Sequence, residues 1–270
     1  MIWGSFGKIH IATLIVAILI NVVLYLFLRK KSRRTQILIL FTSSLIGTGT
    51  IIFDLIYWNS PWEHLPLHLG SLMAILLPYA VLSRKKWACN LLLLWSFGSY
   101  LALIFNADMA DTKLLSWPFI FYYALHVLEA GVPVLLFALD LVDRDTKTIK
   151  ISLSISLIVY TIVHFINLAI NSANILGPTG EIIQVNYLYS VVPTNEFLNF
   201  FYLLIPSPYW YMFLTLPIIF LYVVWWYLPE MLDDRRRQKY LRMKLKAVDE
   251  YYDEYYDEYV DEIIEEKFDD

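Results

Sequence analysis

Ile9–Leu28 reads IHIATLIVAILINVVLYLFL, and the residues that follow are Arg29-Lys30-Lys31-Ser32-Arg33-Arg34. The apolar run carries no charge and is long enough to cross a bilayer: a helix rises about 1.5 Å per residue against roughly 30 Å of hydrocarbon. The basic cluster stops it at one face. A cleavable signal peptide has a shorter apolar core with its basic residues in front, so this segment reads as a first membrane helix and not as a leader.

The same pattern recurs. Further apolar runs lie at Gln36–Tyr57, Pro66–Leu82, Trp87–Phe105, Trp117–Leu139, Ile149–Ile170 and Pro208–Leu228. The third and fourth are short. Ile182–Ile205 is also apolar, but Pro193, Asn195, Glu196, Asn199 and Pro206 break it or bound it, so it reads as an interfacial or re-entrant segment, with an eighth span as the alternative. Charge decides between seven and eight. Nineteen of the 21 basic residues fall in alternate loops and the C-terminal segment. The positive-inside rule makes that side cytoplasmic, which puts the N-terminus outside and the C-terminus inside and requires an odd number of spans. The expected fold is therefore all-α: a polytopic seven-helix transmembrane bundle with a C-terminal cytoplasmic helix, multi-pass in the cell membrane.

Composition agrees with this class. The 270 residues are 59% hydrophobic and 17% charged, with nine Trp, 20 Tyr and 16 Phe, and the mean hydropathy is +0.55. A soluble domain is about 25% charged, so soluble-enzyme, collagen-like and disulfide-scaffold classes are excluded. The single cysteine, Cys89, reads as small apolar filler. The net charge of −4 averages two unlike parts. Residues 249–270 hold 12 acidic residues and one lysine, while residues 1–248 carry a net +7. Three regions result: a membrane domain over 1–230, a basic juxtamembrane segment over 231–248, and an acidic, tyrosine-rich tail over 249–270.

Polar groups inside the spans are costly, and they gather at one depth. Asp54 lies near the outer end of the second span. Glu63, His64 and His68 stand at the start of the third. His126 and Glu129 are i,i+3 neighbours on the fifth, about 14–18 Å from its outer end. His164, Asn167 and Asn171 share one face of the sixth. Together they outline a polar pocket opening outward, capped by the long loop Asn171–Ser207, which has no Lys or Arg. The bland alternative is interhelical hydrogen bonding, worth about 0.6 kcal/mol per contact. A carboxylate beside a histidine can also tune it as a general base. No HxH or HExxH spacing marks a metal site, and Pro66 separates His64 from His68, so neither metal nor cofactor is expected. No glycine-rich phosphate loop or GxSxG elbow is present.

Glu63-His64-Leu65-Pro66-Leu67-His68-Leu69 resembles the LPLHLC signature of YwaF-like bacterial integral membrane proteins, relatives of the eukaryotic transmembrane protein 164 family. Matching pieces follow in order: Phe97-Gly98, His126, Asn167, Asn186-Tyr187-Leu188-Tyr189 with Pro193, and Pro208-Tyr209-Trp210-Tyr211. The resemblance covers roughly Glu63 to Tyr211. It implies phospholipid acyltransferase or lipid hydrolase chemistry, with a nucleophilic Cys directly after LPLHL and a His in span five. That His falls on His126. The Cys position is Gly70, so the family nucleophile is missing. Three alternatives stand: Ser71 substitutes, water is activated directly, or the pocket persists without the chemistry.

On the enzymatic reading His126 is the general base, Glu129 polarises it, and His68 orients the acyl carbonyl. Glu63, His164, Asn167, Asn186 and Tyr187 then shape the substrate pocket. The other reading is a transporter or solute-binding protein that uses the same pocket without covalent chemistry. Membrane lipids are the expected partners in the first case. The tract containing Arg235, Arg236, Arg237 and Lys239 suits anionic inner-leaflet lipid, at about 1 kcal/mol per basic residue, and not nucleic acid. The tail repeats Tyr-Tyr-Asp-Glu with a period of four and predicts a helix, either solvated or pairing with a protein partner through its tyrosines.

Overall fold

The computed structural model describes residues 1–105 and 109–268, without the side chains of 246, 247 and 249–268. The tyrosine and carboxylate faces expected of the tail lie outside those described residues. Eight α-helices follow in order: α1 Lys8–Leu28, α2 Arg33–Tyr57, α3 Leu69–Ser83, α4 Lys86–Phe105, α5 Trp117–Ala138, α6 Lys147–Ser172, α7 Glu196–Leu204 and α8 Leu216–Phe268. Among the described residues there are no strands, only two isolated bridges, Ile2 with Lys113 and Leu176 with Ile182. The chain divides into two units, Met1–Val224 and Trp225–Asp270, and α8 contributes to both.

Among the described residues six segments are long and apolar enough to cross a membrane: α1, α2, α4, α5, α6 and Trp210–Leu245. The chain is thus a multi-pass membrane protein. α3 is apolar but has only 15 residues, a rise of about 22 Å. It begins at Leu69, three residues later than the apolar run suggests, because the chain around Pro66 is still turning and His68 is the extended N-cap. It ends where Arg84 adopts the left-handed conformation at φ 51°.

Burial separates the helices by role. More than half of the membrane-length stretch is buried in α4 (61%) and α5 (56%), against 11% in α1 and 17% in α6. α4 and α5 pack on each other and on α3, which in turn packs on α2. The outer helices expose Ile11, Ile15, Ile18 and Leu19 on α1, and Ile158, Ile162 and Phe165 on α6. Such surfaces suit hydrocarbon and would be unsuited to water.

The N-terminus is pinned inward. Trp3 is buried, and its indole N–H donates to Thr13 Oγ1 at 2.8 Å. His10 is fully buried. Its Nδ1 accepts from the Phe6 N–H at 2.8 Å, so Nε2 carries the proton and donates to the Leu103 carbonyl at 2.8 Å.

The long loop between α6 and α8 holds no helix of membrane-crossing length among the described residues. It holds a short 3-10 turn at Tyr187–Tyr189 and the nine-residue α7, whose start is capped by Asn195 accepting from the Leu198 N–H at 2.9 Å. Leu188 and Tyr189 both take positive φ, 54° and 53°, which folds the loop sharply back.

Candidate functional site

The polar groups of the helices and loops resolve into two places and a set of fastenings. The first place is a buried pair. Glu129 is fully buried on α5, and His126 sits one turn away. His126 Nδ1 lies 3.1 Å from Glu129 Oε2. Ser99 on α4 donates to the same oxygen at 2.9 Å. Tyr122 stacks edge-on to the His126 ring at 4.4 Å between centroids. With the carboxylate accepting at Nδ1, the imidazole is held in the tautomer that leaves Nε2 as the basic nitrogen. Ser99 is missed in a sequence reading. Its only signal is its place next to Phe97-Gly98.

Gly70 on α3 closes this site. A Cβ at Gly70 would stand 3.1 Å from His126 Cε1, 3.3 Å from Glu129 Oε2 and 3.6 Å from Glu129 Oε1. The residue directly after the LPLHL element therefore faces the His–Glu pair. Glu129 Oε1 has no hydrogen-bond partner among the described residues. Ser71 follows Gly70 in α3 and is turned about 100° from it by the helix.

The second place is an open cleft of about 560 Å3 formed by the α2–α3 connection and the loop between α6 and α7. Trp58, Glu63, His64, His68, Gln184, Val185, Asn186, Tyr187, Tyr189 and Thr194 line it. His64 stacks flat on Trp58 at 5.6 Å. Burial pushes its imidazole below the ordinary range, against the opposing pull of Asp54 and Glu63. Ser60 donates its hydroxyl to the Glu63 carboxylate. The His68 ring meets those of Tyr187 at 5.1 Å and Tyr189 at 5.7 Å. Burial raises the Tyr187 phenol to about 12, so it stays protonated. It donates to the Trp62 carbonyl and accepts from the Leu65 N–H at 3.3 Å, tying the loop to the turn before α3.

The remaining polar residues fasten the loop to α6. Asn167 is fully buried and bonds both backbone groups of Tyr187, and Asn171 does the same at Val185. His164 Nδ1 lies 3.1 Å from Ser190 Oγ. Asn186 lines the cleft, but its amide also bonds the backbone of Val191 and Val192. Glu63, His68, Asn186 and Tyr187 thus meet in the cleft, His126 and Glu129 meet beneath Gly70, and His164 and Asn167 grip the loop.

In the second unit, Arg235, Arg236, Arg237 and Lys239 are exposed on α8, with Arg236 4.0 Å from Asp233. No group of three potential metal-ligating side chains occurs among the described residues.

Residues 5–227 match the sequence profile of the TMEM164 family. No curated protein and no solved structure matches the chain.

Proposed function

Because the chain belongs to the TMEM164 family, we propose that it acts on membrane lipids at the His126–Glu129 pair, as a phospholipid acyltransferase or lipid hydrolase of the YwaF-like kind. One observation carries the reading: a fully buried carboxylate orients a histidine at the point where α3 presents Gly70. A buried carboxylate is costly unless it is paired, and pairing it with an imidazole yields a base oriented for proton transfer. His126 takes the proton of the attacking hydroxyl, and Glu129 stabilises the imidazolium that forms. His68 orients the acyl carbonyl from the cleft side. Glu63, Asn186 and Tyr187 shape the cleft. His164 and Asn167 act on it by holding the loop. Ser71 is the hydroxyl next to Gly70 and the alternative nucleophile.

In this reading α3 is a seventh crossing of the cell membrane, shortened at His68 and Arg84. The N-terminus is outside and the C-terminus cytoplasmic, as the one-sided basic residues favour. The exposed arginines of α8 then meet anionic inner-leaflet lipid.

A second reading has its own support. The cleft is open and polar, and its histidines, carboxylate and amides could hold a small polar solute with no covalent step. One experiment separates the two. Phospholipid acyl composition is compared between cells expressing the wild-type protein and cells expressing His126→Ala, alongside uptake of small polar solutes. The enzymatic reading expects a changed acyl profile and unchanged uptake. Unchanged acyl composition in both strains would sink it.

A further inference from the structure

We propose that the cleft between the α2–α3 connection and the α6–α7 loop is a binding site for an organic ammonium group, with Glu63 as its counter-charge and Trp58, Tyr187 and Tyr189 as its aromatic walls. The site goes beyond the acyl chemistry at the His126–Glu129 pair and does not depend on it.

Charge decides the sign of the ligand. No Lys or Arg occurs between Arg34 and Arg84 or between Lys150 and Arg235, and these two stretches supply every residue that lines the cleft. Glu63 is the lining carboxylate, and neither stretch offers a lysine or arginine to neutralise it. Asp54 stands within electrostatic reach of the neighbouring His64. Burial holds the His64 imidazole below its ordinary range, so near neutral pH it is mostly uncharged. A cleft with charge of one sign and low-dielectric walls concentrates counter-ions of the other.

The carboxylate is placed in advance. The backbone N–H groups of Glu63 and His64 both donate to the Ser60 carbonyl, at 3.1 and 3.2 Å, and the Ser60 hydroxyl donates to the Glu63 carboxylate. That hydroxyl steadies the side chain without cancelling its charge. On the loop side, Asn167 and Asn171 hold the backbone of Tyr187 and Val185. A ligand therefore meets a largely pre-formed site and orders little on binding.

The aromatic rings select among cations. Trp58 is 47% exposed, with the His64 ring stacked on it at 8°. Tyr187 and Tyr189 meet the His68 ring at 5.1 and 5.7 Å between centroids. An alkylammonium group is attracted to aromatic faces as well as to a carboxylate. A metal ion such as zinc needs a cluster of ligating side chains, and no group of three occurs among the described residues. The cleft, of about 560 Å3, is far larger than a bare ion and admits an ammonium group with its attached chain. Free solutes carry such a group, and so do the headgroups of choline and ethanolamine phospholipids.

The test uses the full chain in nanodiscs of phosphatidylglycerol alone, a lipid with no ammonium group. Choline and tetramethylammonium are titrated by saturation-transfer NMR, with protein-free discs subtracted. The uncharged isostere of choline, in which carbon replaces nitrogen, and acetate are titrated alongside. Choline should bind about 10-fold or more tightly than the isostere. Glu63→Gln keeps an acceptor for Ser60 and should weaken choline binding by roughly 10-fold or more. Trp58→Ala should weaken it by about 3-fold or more. No saturable choline binding, equal binding of the isostere, tighter binding of acetate, or an unchanged affinity in either variant overturns the site. Discs in which phosphatidylcholine replaces part of the phosphatidylglycerol identify the source. Choline binding that is lost there assigns the site to a lipid headgroup, and binding that persists assigns it to a free solute. Acyl products of the wild-type protein and His126→Ala report on the lipid-acyl reading separately, so either can fail without the other.

Discussion

Asn167 holds Tyr187 by both ends of one amide. Its Nδ2 donates to the Tyr187 carbonyl at 2.8 Å, and its Oδ1 accepts from the Tyr187 N–H at 3.0 Å. The pairing imitates a backbone ladder between a helix and a loop that has no strand to pair with. Asn167→Ala leaves the Tyr187 N–H unsatisfied in a buried setting and its carbonyl with only the long contact from the Ser190 N–H at 3.4 Å, at a cost of about 1–3 kcal/mol. Hydrogen exchange at the Tyr187 amide should quicken markedly, while exchange in α4 and α5 stays slow. Asn167→Asp keeps the acceptor and should leave the Tyr187 amide better protected than Asn167→Ala does. Equal protection in the two variants would show that the clamp does not hold the loop.

His64 makes the fold sensitive to acid. Its folded-state pKa lies below the ordinary value of 6.5 because burial disfavours the imidazolium. As pH falls through 6.5 the unfolded chain takes up this proton first, so the unfolded state is favoured. The stability tied to neutral His64 is complete above 6.5. It is lost as pH falls from 6.5 toward the folded pKa, and no further loss follows below that. Melting temperature in detergent should therefore drop as pH is lowered below 6.5. His64→Phe keeps a flat ring on Trp58 and removes the titration, so the drop should shrink. An identical pH profile in the variant would remove His64 as its source.

The tail should be separable from the membrane domain. The first unit ends at Val224, and residues 249–270 hold 12 acidic residues and one lysine against a net +7 for residues 1–248. Orientation is set by the basic residues near the membrane ends, and acidic residues contribute little. Deleting 249–270 should leave insertion and topology unchanged in reporter fusions. Reversing Arg235, Arg236, Arg237 and Lys239 to Glu should instead weaken binding of the reconstituted protein to anionic lipid, by about 1 kcal/mol for each charge lost. Misinsertion of the tail-deleted chain would show that the tail helps to build the bundle.

Much of the helical fold is readable from apolar length. The runs at Ile9–Leu28 and Trp117–Leu139 correspond almost residue for residue to α1 and α5, because in a bilayer hydrophobicity and helix length are the same constraint. The start of α3 is harder to see: apolar residues continue through Pro66 and Leu67, but backbone turns there keep the helix from forming until Leu69. The partners of the polar residues are not legible. An asparagine on a helix face reads the same whether it points into a pocket or at the backbone of a loop arriving from 20 residues away, as at Asn167 and Tyr187. Likewise nothing in the chain order brings Gly70 against Glu129. That meeting depends on how α3 packs on α5.

A second close approach can be tested through its non-additivity. Gly131 on α5 lies beneath Asn21 on α1, and a methyl carbon there would stand 1.6 Å from Asn21 Oδ1 and 2.4 Å from its Cγ. The Asn21 amide is not free to swing aside at no cost, because Nδ2 donates to the Ala17 carbonyl at 3.0 Å and to the Val127 carbonyl at 3.3 Å. Gly131→Ala must break the link to Val127 or push α1 outward, and overpacking of this sort costs about 1–3 kcal/mol. Asn21→Ala alone loses the link but removes an oxygen with no partner among the described residues. In the double variant the clash has no second atom, so its cost should be well below the sum of the single costs. Equilibrium unfolding in detergent micelles measures all three variants. Costs that add within about 0.5 kcal/mol would mean that Gly131 is not there to admit Asn21.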